Sequence, residues 1–104
     1  MTYPGPVQHT VSFTLVHPEG SAAEQEFLAT ARTVLTGIAG VREFTVHRQV
    51  SPRSGFRFQF SMVFADEAAY RAYDAHPDHV GFVSSRWVPE VAAFAEQDFV
   101  AYGA

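Results

Sequence analysis

The sequence has 104 residues, of which 47% are hydrophobic and 17% charged, and its formal net charge is −4. This length predicts one domain spanning residues 1–104, and the hydrophobic content excludes a disordered chain. Nucleic acid is not an expected partner, because the basic residues form no cluster. No apolar run approaches the ~20 residues that cross a bilayer, no signal segment is visible and cysteine is absent. We therefore expect a soluble, cytoplasmic protein that binds neither nucleic acid nor membrane.

The first two elements are marked by a change of period. Residues 7–16 (VQHTVSFTLV) alternate with a period of two, which predicts a strand. The strand is broken at residues 17–20, where HPEG follows. Ser21 and Glu24 have the spacing of a capping box, and the apolar residues behind them recur at helical spacing. The sequence predicts a helix of about four turns, with Gly37 and Gly40 as candidate stops.

The middle of the chain predicts two further strands. Residues 41–50 alternate again, and residues 51–55 (SPRSG) have the composition of a turn or loop. Residues 55–64 are the strongest strand pattern in the chain. One side of that strand carries only large apolar residues: Phe56, Phe58, Phe60, Met62 and Phe64.

The last third predicts a broken helix and a closing strand. Asp66 can cap a short helix, which is broken at His76-Pro77. Helical spacing then resumes as far as Trp87. Residues 97–102 (QDFVAY) predict a strand. The element order is therefore β-α-β-β-α-β. This order predicts a ferredoxin-like α+β fold, in which helices cover one face of a four-stranded antiparallel sheet.

The other face of the predicted sheet carries few charges. Its residues are mostly threonine, glutamine and serine, with Glu43 and Arg57 as the charges. A sheet face in water usually carries more lysine and glutamate, so a second copy of the chain is expected to cover this one and form a closed dimeric barrel. The alternative is an exposed polar surface.

Residues 73–82 (YDAHPDHVGF) gather titratable and aromatic side chains at the helix break. His76 precedes a proline, so it is expected to be extended or to cap the helix that Pro77 begins. His79 then falls in the first helical turn, where the helix dipole disfavours the imidazolium. A neutral imidazole near the phenol of Tyr73 suits removal of a proton alpha to a carbonyl. A structural hydrogen bond between Tyr73 and His79 is the alternative.

The remaining histidines also have structural interpretations. His9 lies on the apolar face of the first strand, where a hydrogen-bonded core histidine is common. His17 and His47 are interpreted as solvent or interface residues. A metal site built from His76 and His79 is not expected, because the proline between them turns the chain and no nearby set of acidic residues or cysteines completes the coordination.

Taken together, these features resemble the stress-responsive A/B barrel (Dabb) family of dimeric α+β barrels, and the resemblance covers nearly all of residues 7–102. It rests on His9, on the strand after the loop at 51–55 and on the closing Asp98-Phe99. It rests most on the corner cluster Tyr73-x-x-His76-Pro77-x-His79, followed by Val80-Gly81-Phe82.

The resemblance implies a homodimer with a pocket between the sheet and the helices of each subunit. Most members of the family have no settled activity, and some plant members are heat-stable stress proteins. Others act on carbonyl carbon, as a polyketide cyclase and as a hydroxynitrile lyase. The cyclase's catalytic tyrosine and histidine match Tyr73 and His79, and its strand-one histidine matches His9.

Two positions depart from the family's pattern. Phe56-Arg57-Phe58 stands where many relatives have Tyr-Thr-His, so a third pocket histidine is missing. Ala31 stands where the cyclase has a tyrosine. A different substrate is therefore expected, although the pair of Tyr73 and His79 is intact.

Three hypotheses follow. The first is a cofactor-free lyase or cyclase acting on a hydrophobic carbonyl compound, with His79 as general base, Tyr73 polarising the substrate oxygen and His9 assisting. The second is a non-catalytic stress-response or ligand-binding homodimer. The third is a cofactor-free monooxygenase of the antibiotic-biosynthesis type, which the corner cluster argues against. Under the first two, the pocket is expected to be lined by Val11, Phe13, Phe27, Phe60 and Phe82.

Overall fold

A computed structural model describes residues 3–103 and shows one antiparallel sheet with helices packed on one of its faces. The strands lie in the order β2-β3-β1-β4: β1 (Val7–Leu15), β2 (Arg42–Arg48), β3 (Phe58–Phe64) and β4 (Val91–Phe99). The helices are α1 (Ala22–Thr36), α2 (Glu67–Asp74), α3 (Pro77–Phe82) and the short α4 (Val88–Glu90), with a π-helical turn at Val83–Trp87 between the last two. The predicted ferredoxin-like fold is confirmed.

The first helix begins as its sequence predicts. The Ser21 hydroxyl accepts a hydrogen bond from the Glu24 N–H at 3.2 Å, and the Glu24 carboxylate accepts one from the Gly20 N–H at 2.9 Å. Gly37 caps the other end. No helix within residues 3–103 is long and apolar enough to cross a membrane.

The corner between α2 and α3 is also built by local capping. Asp66 accepts a hydrogen bond from the Ala69 N–H at 2.8 Å and starts α2. The Nδ1 atom of His76 accepts one from the Asp78 N–H at 3.0 Å, with Pro77 in the first helical position of α3. The prediction that His76 acts as a helix cap is therefore confirmed.

An aromatic cluster fills the layer between the sheet and α1. Phe13 and Phe27 are both 0% exposed, and the Phe13 ring lies 6.2 Å from that of Phe27 and 4.6 Å from that of Phe60, measured between centroids. Phe13 and Phe27 were predicted to line the pocket, but both are packed on all sides in the core. Period and composition mark a side chain as inward-facing, and they do not say whether a cavity lies beyond it.

The closing strand differs most from expectation. β4 spans Val91–Phe99, whereas residues 97–102 were predicted. The stretch before Gln97 is rich in alanine and has little strand propensity of its own, so its conformation is decided by pairing with β1. That pairing places Leu15 opposite Val91 and Gln8 opposite Phe99.

The sheet face away from the helices extends onto β4. Pairing with β1 brings four exposed, uncharged residues of β4 to this face: Ala93, Ala95, Gln97 and Phe99. The Phe99 ring is 46% exposed. The face is thus broader and more apolar at one edge than the sequence predicts.

Phe27→Ala is expected to lower the free energy of unfolding by about 3–5 kcal/mol, because it removes a fully buried ring from the core. Urea unfolding followed by circular dichroism measures the loss. Val80→Ala, at a 53% exposed position on α3, is the control and should change stability by less than about 0.5 kcal/mol. A cost for Phe27→Ala no larger than that of the control would contradict its place in the core.

Candidate functional site

A cavity of about 490 Å³ lies between the sheet and the helices. β1 and β3 form its floor, α1 to α3 and the π-helical turn form its walls, and β4 borders its mouth. A volume of this size accommodates a drug-sized molecule. Most of the lining is apolar and includes Val11, Leu35, Phe60, Met62, Phe82 and Trp87.

The π-helical turn brings the only tryptophan of the chain to this cavity. The Trp87 ring lies 5.1 Å from the Phe13 ring and packs edge-on against Phe94 at 5.6 Å. The extra residue of a π turn shifts the side chains that follow it, and such turns are frequent at functional sites.

An ion-pair network holds this turn against α1. Arg86 lies 2.5 Å from both the Glu26 and the Glu90 carboxylates, and Glu90 also contacts His17 Nε2 at 2.7 Å. The hydrogen bond from Arg86 holds the pKa of Glu90 below its usual range. His17, interpreted from sequence as a solvent or interface residue, is instead half-buried within the network, because β1 ends beside α4.

Tyr73 presents a hydrogen-bond donor to the cavity. The residue is 2% exposed and lines the cavity, and its hydroxyl has no hydrogen-bond partner within residues 3–103. Burial, followed by the charges of Asp74 and Glu96, raises the pKa of this phenol well above its usual range. The group therefore stays protonated at neutral pH and acts as a donor, because its phenolate is disfavoured.

His79 is held next to Tyr73 by the backbone. The two ring centroids are 4.5 Å apart, and the Nδ1 atom of His79 lies 2.9 Å from the Asp74 backbone carbonyl. A carbonyl oxygen can only accept, so Nδ1 carries the proton and Nε2 of the neutral ring carries the lone pair. No hydrogen bond joins the Tyr73 hydroxyl to His79 within the described chain, so the two side chains meet by ring contact alone.

His9 belongs to a second polar group that joins β1, β4 and α2. Its Nδ1 atom lies 2.6 Å from Asp98 Oδ1 and 3.0 Å from the Tyr70 hydroxyl, which itself donates to Asp98 Oδ2 at 3.1 Å. Burial, with the nearby charge of Asp98, raises the pKa of Tyr70 above its usual range. The carboxylate fixes the proton of His9 on Nδ1, so Nε2 is the nitrogen left to act in the cavity that His9 lines.

The structure brings most of the predicted site residues together. Six of the eight line the cavity: His9, Val11, Phe60, Tyr73, His79 and Phe82. Phe13 and Phe27 lie in the core behind it, as described above.

Sequence analysis missed Asp98 and Tyr70 as partners of His9. Asp98 was noted only as part of a family motif, and it pairs with His9 because β1 and β4 align in that register. Tyr70 stands three residues before Tyr73, a spacing that puts both on one face of a helix, and that pattern was the available signal for its position. No three histidine, aspartate or glutamate side chains within residues 3–103 are arranged to hold a metal ion.

Comparison with known families gives a match along nearly the whole chain. The model of the stress responsive A/B barrel domain (Dabb) matches residues 7–101. The chain belongs to this family. Comparison with curated proteins finds no match.

Solved structures agree with membership of the Dabb family. A Dabb family protein from Mesorhizobium loti is 51% identical, with a TM-score of 0.95 over 96% of this chain and 100% of that chain. A dimeric ferredoxin-like protein of unknown function from Thermobifida fusca is 16% identical, with a TM-score of 0.75 over 97% of this chain and 95% of that one. The hydroxynitrile lyase of Passiflora edulis is 15% identical, with a TM-score of 0.82 over 98% of both chains. At such identities the last two show the fold alone.

The Dabb cavity of this chain combines one phenol donor with two imidazole nitrogens that have no partner within the described residues. The surrounding walls are apolar and limit the water inside. Such a set can accept a proton from carbon and can donate a hydrogen bond to an oxygen that gains charge.

We expect ¹⁵N NMR to show that His9 and His79, in the neutral form of the ring, carry the proton on Nδ1. His76 should show the opposite tautomer, because its Nδ1 accepts a hydrogen bond. Asp98→Ala should mix the tautomers of His9 and leave His79 unchanged, since a backbone carbonyl holds that ring. An unchanged His9 spectrum in the variant would show that Asp98 does not orient it.

Proposed function

We propose that this chain is a homodimeric small-molecule-binding protein whose cavity performs cofactor-free lyase or cyclase chemistry on a hydrophobic carbonyl compound, such as a polyketide. One observation carries the proposal. An unpartnered phenol donor (Tyr73) and the bare imidazole nitrogen of His79 stand side by side on one apolar cavity. A cytoplasmic location is part of the proposal.

In the proposed reaction, His79 Nε2 takes a proton from the carbon alpha to the carbonyl. The C–H electron pair moves into the carbonyl group, and the enolate oxygen that forms accepts a hydrogen bond from Tyr73. In a cyclisation, the enolate carbon attacks a second carbonyl of the same molecule and the new alkoxide takes the proton back from the imidazolium. No co-reactant is needed, because the proton taken in the first step is returned in the last.

His9 assists from the floor of the cavity. Its Nε2 atom can hold or relay a proton on the substrate, while Asp98 and Tyr70 position the ring without touching the substrate. Support for this division comes from the burial of His9, which is 6% exposed, and from its 2.6 Å contact with Asp98.

The homodimer is proposed through the sheet face away from the helices. Its support is the low charge of that face, its continuation onto β4 with the half-exposed Phe99, and the fold shared with the dimeric protein of Thermobifida fusca. A second copy would bury this apolar edge.

The competing function is binding without catalysis. Both functions use the same cavity, so they differ only in whether a bound carbonyl compound loses its alpha proton. The hydroxynitrile lyase of Passiflora edulis is an enzyme with this fold, which supports the catalytic reading by analogy.

The proton-transfer step can be measured without the natural substrate. 2-Tetralone in D₂O should exchange its alpha protons faster with the protein than with buffer, as followed by proton NMR. His79→Ala should slow the protein-dependent rate by ~100- to 10,000-fold, because the base is lost. Tyr73→Phe keeps the ring and removes only the donor, so a loss of ~100- to 1,000-fold is expected.

His76→Asn is the matched control, because asparagine can still cap α3 and the rate should be kept. Trp87 fluorescence reports binding independently of exchange. If 2-tetralone changes the Trp87 emission and exchange still equals that of buffer, the protein binds without catalysing. Oxygen consumption with a phenolic ligand would favour the monooxygenase alternative.

Thr45→Asp is expected to weaken the dimer, because it places an unpaired carboxylate in the proposed interface. Light scattering at micromolar concentration should give the dimer mass for the wild type and a lower mass for the variant. Thr33→Asp adds the same charge to the exposed side of α1 and should leave the dimer intact. A wild-type protein found only as the monomer would rule out the assembly.

A further inference from the structure

The charged side chains on the cavity lining are all negative. Asp74 of α2 and Glu96 of β4 line the cavity and are exposed, so they stand at its mouth. We call these two carboxylates the acidic rim. Within residues 3–103 no arginine lines the cavity, and the sequence contains no lysine.

The arginines of α2 and of the π-helical turn are already neutralised. Arg71 of α2 is paired with Glu67, and Arg86 of the π-helical turn is paired with Glu26 and Glu90. Neither guanidinium is available to an anion at the cavity mouth without breaking an existing ion pair. The negative field of the acidic rim at a bound molecule is therefore not offset by a free cation from α2 or from the π-helical turn.

The influence of the acidic rim reaches the polar end of the cavity. The charges of Asp74 and Glu96 both add to the effect of burial in raising the pKa of Tyr73. Low-dielectric walls focus the field of charges at the entrance of a cleft, so screening by salt is weaker inside than on an open surface. A ligand anion next to Tyr73 would meet this negative field.

We propose that the acidic rim makes the cavity selective for uncharged aromatic compounds and excludes carboxylates, sulfonates and phosphates of the same shape. The aromatic side chains Phe60, Phe82, Trp87 and Phe94 provide flat apolar walls, and Tyr73 offers one donor for a carbonyl or hydroxyl oxygen. This inference rests on the proposed binding function of the cavity. It adds that the ligand enters as a neutral ketone, ester or phenol and not as a free acid.

Two fluorescent dyes with the same ring system test the selectivity. N-phenyl-1-naphthylamine is uncharged, and 1-anilinonaphthalene-8-sulfonate adds one sulfonate to it. Titration at low ionic strength should show at least ~10-fold tighter binding of the uncharged dye. Energy transfer from Trp87, the only tryptophan of the sequence, reports that each dye is bound. Weaker binding to Val83→Phe, a change in the cavity wall, shows that the bound dye occupies the cavity.

Glu96→Gln and Asp74→Asn should each lower the ratio of the two dissociation constants (sulfonate dye over uncharged dye) by ~3-fold or more. The change should come mainly from tighter binding of the sulfonate dye. Asp78→Asn makes the same change in net charge on α3, outside the cavity lining, and should leave the ratio unchanged. A higher salt concentration should lower this ratio of dissociation constants in the wild type. It should have less effect in a variant that carries both Asp74→Asn and Glu96→Gln.

The possible outcomes separate this inference from the proposed function. Suppose that both dyes bind with the same dissociation constant and show energy transfer from Trp87, and that Glu96→Gln and Asp74→Asn change neither constant. The proposed selectivity is then wrong, and the proposed binding function stands. If the uncharged dye gives no energy transfer, or if Val83→Phe in the cavity wall leaves its dissociation constant unchanged, the cavity does not bind it. The proposed binding function is then wrong, and the selectivity is wrong with it.

Discussion

The pairing of β1 with β4 is the constraint on which the site depends. It joins residues near the two ends of the chain, and its register sets His9 opposite Asp98 and Val11 opposite Glu96. Without it, β4 would not border the cavity, His9 would lose the carboxylate that orients it, and Glu96 would not reach the mouth. A contact of such high sequence separation is costly in loop entropy, so the surrounding fold must secure it. Phe13, next along β1, contributes to that by packing in the aromatic core.

The two cavity histidines are oriented by different partners, and this difference supports the different roles proposed for them. A carboxylate faces His9 at Nδ1 and favours a ring that becomes charged. The Asp74 backbone carbonyl faces His79 at Nδ1 and fixes the tautomer, while the Asp74 carboxylate lies farther off, 4.0 Å from the same nitrogen. His79 stands beside Tyr73, whereas the His9 ring centroid is 6.4 Å from that of Tyr73. Proximity to the donor therefore favours His79 for the first proton transfer, and the carboxylate suits His9 to hold charge during turnover.

Local sequence signals predicted the parts of this structure that local forces build. Ser21, Asp66 and His76 cap helices because their side chains reach the nearest free N–H groups, and alternating residues gave the first three strands. β4 was placed six residues too late, because Val91 to Glu96 has weak strand propensity and takes its conformation from β1. The hydrogen bonds of His9 to Asp98 and Tyr70 were not predictable from local sequence either. They depend on the register of β4 against β1 and on the position of α2 above the sheet. In the sequence, Phe13 and Phe27 cannot be distinguished from inward-facing rings that line a cavity. Only the packing around them shows that they lie in the core.

The acidic rim imposes a condition on any reaction in the cavity. An enolate oxygen beside Tyr73 would be opposed by Asp74 and Glu96, and no arginine or lysine on the lining offsets that repulsion. The positive charge available at that moment is the imidazolium formed when His79 takes the proton. Its ring lies 4.5 Å from that of Tyr73, so the enolate and the imidazolium can form as an adjacent ion pair. A neutral substrate thus keeps the total charge of the cavity constant through the step, whereas an anionic substrate would add a charge that nothing on the lining balances. In the proposed reaction, the geometry that pairs the enolate with the imidazolium therefore also favours uncharged substrates.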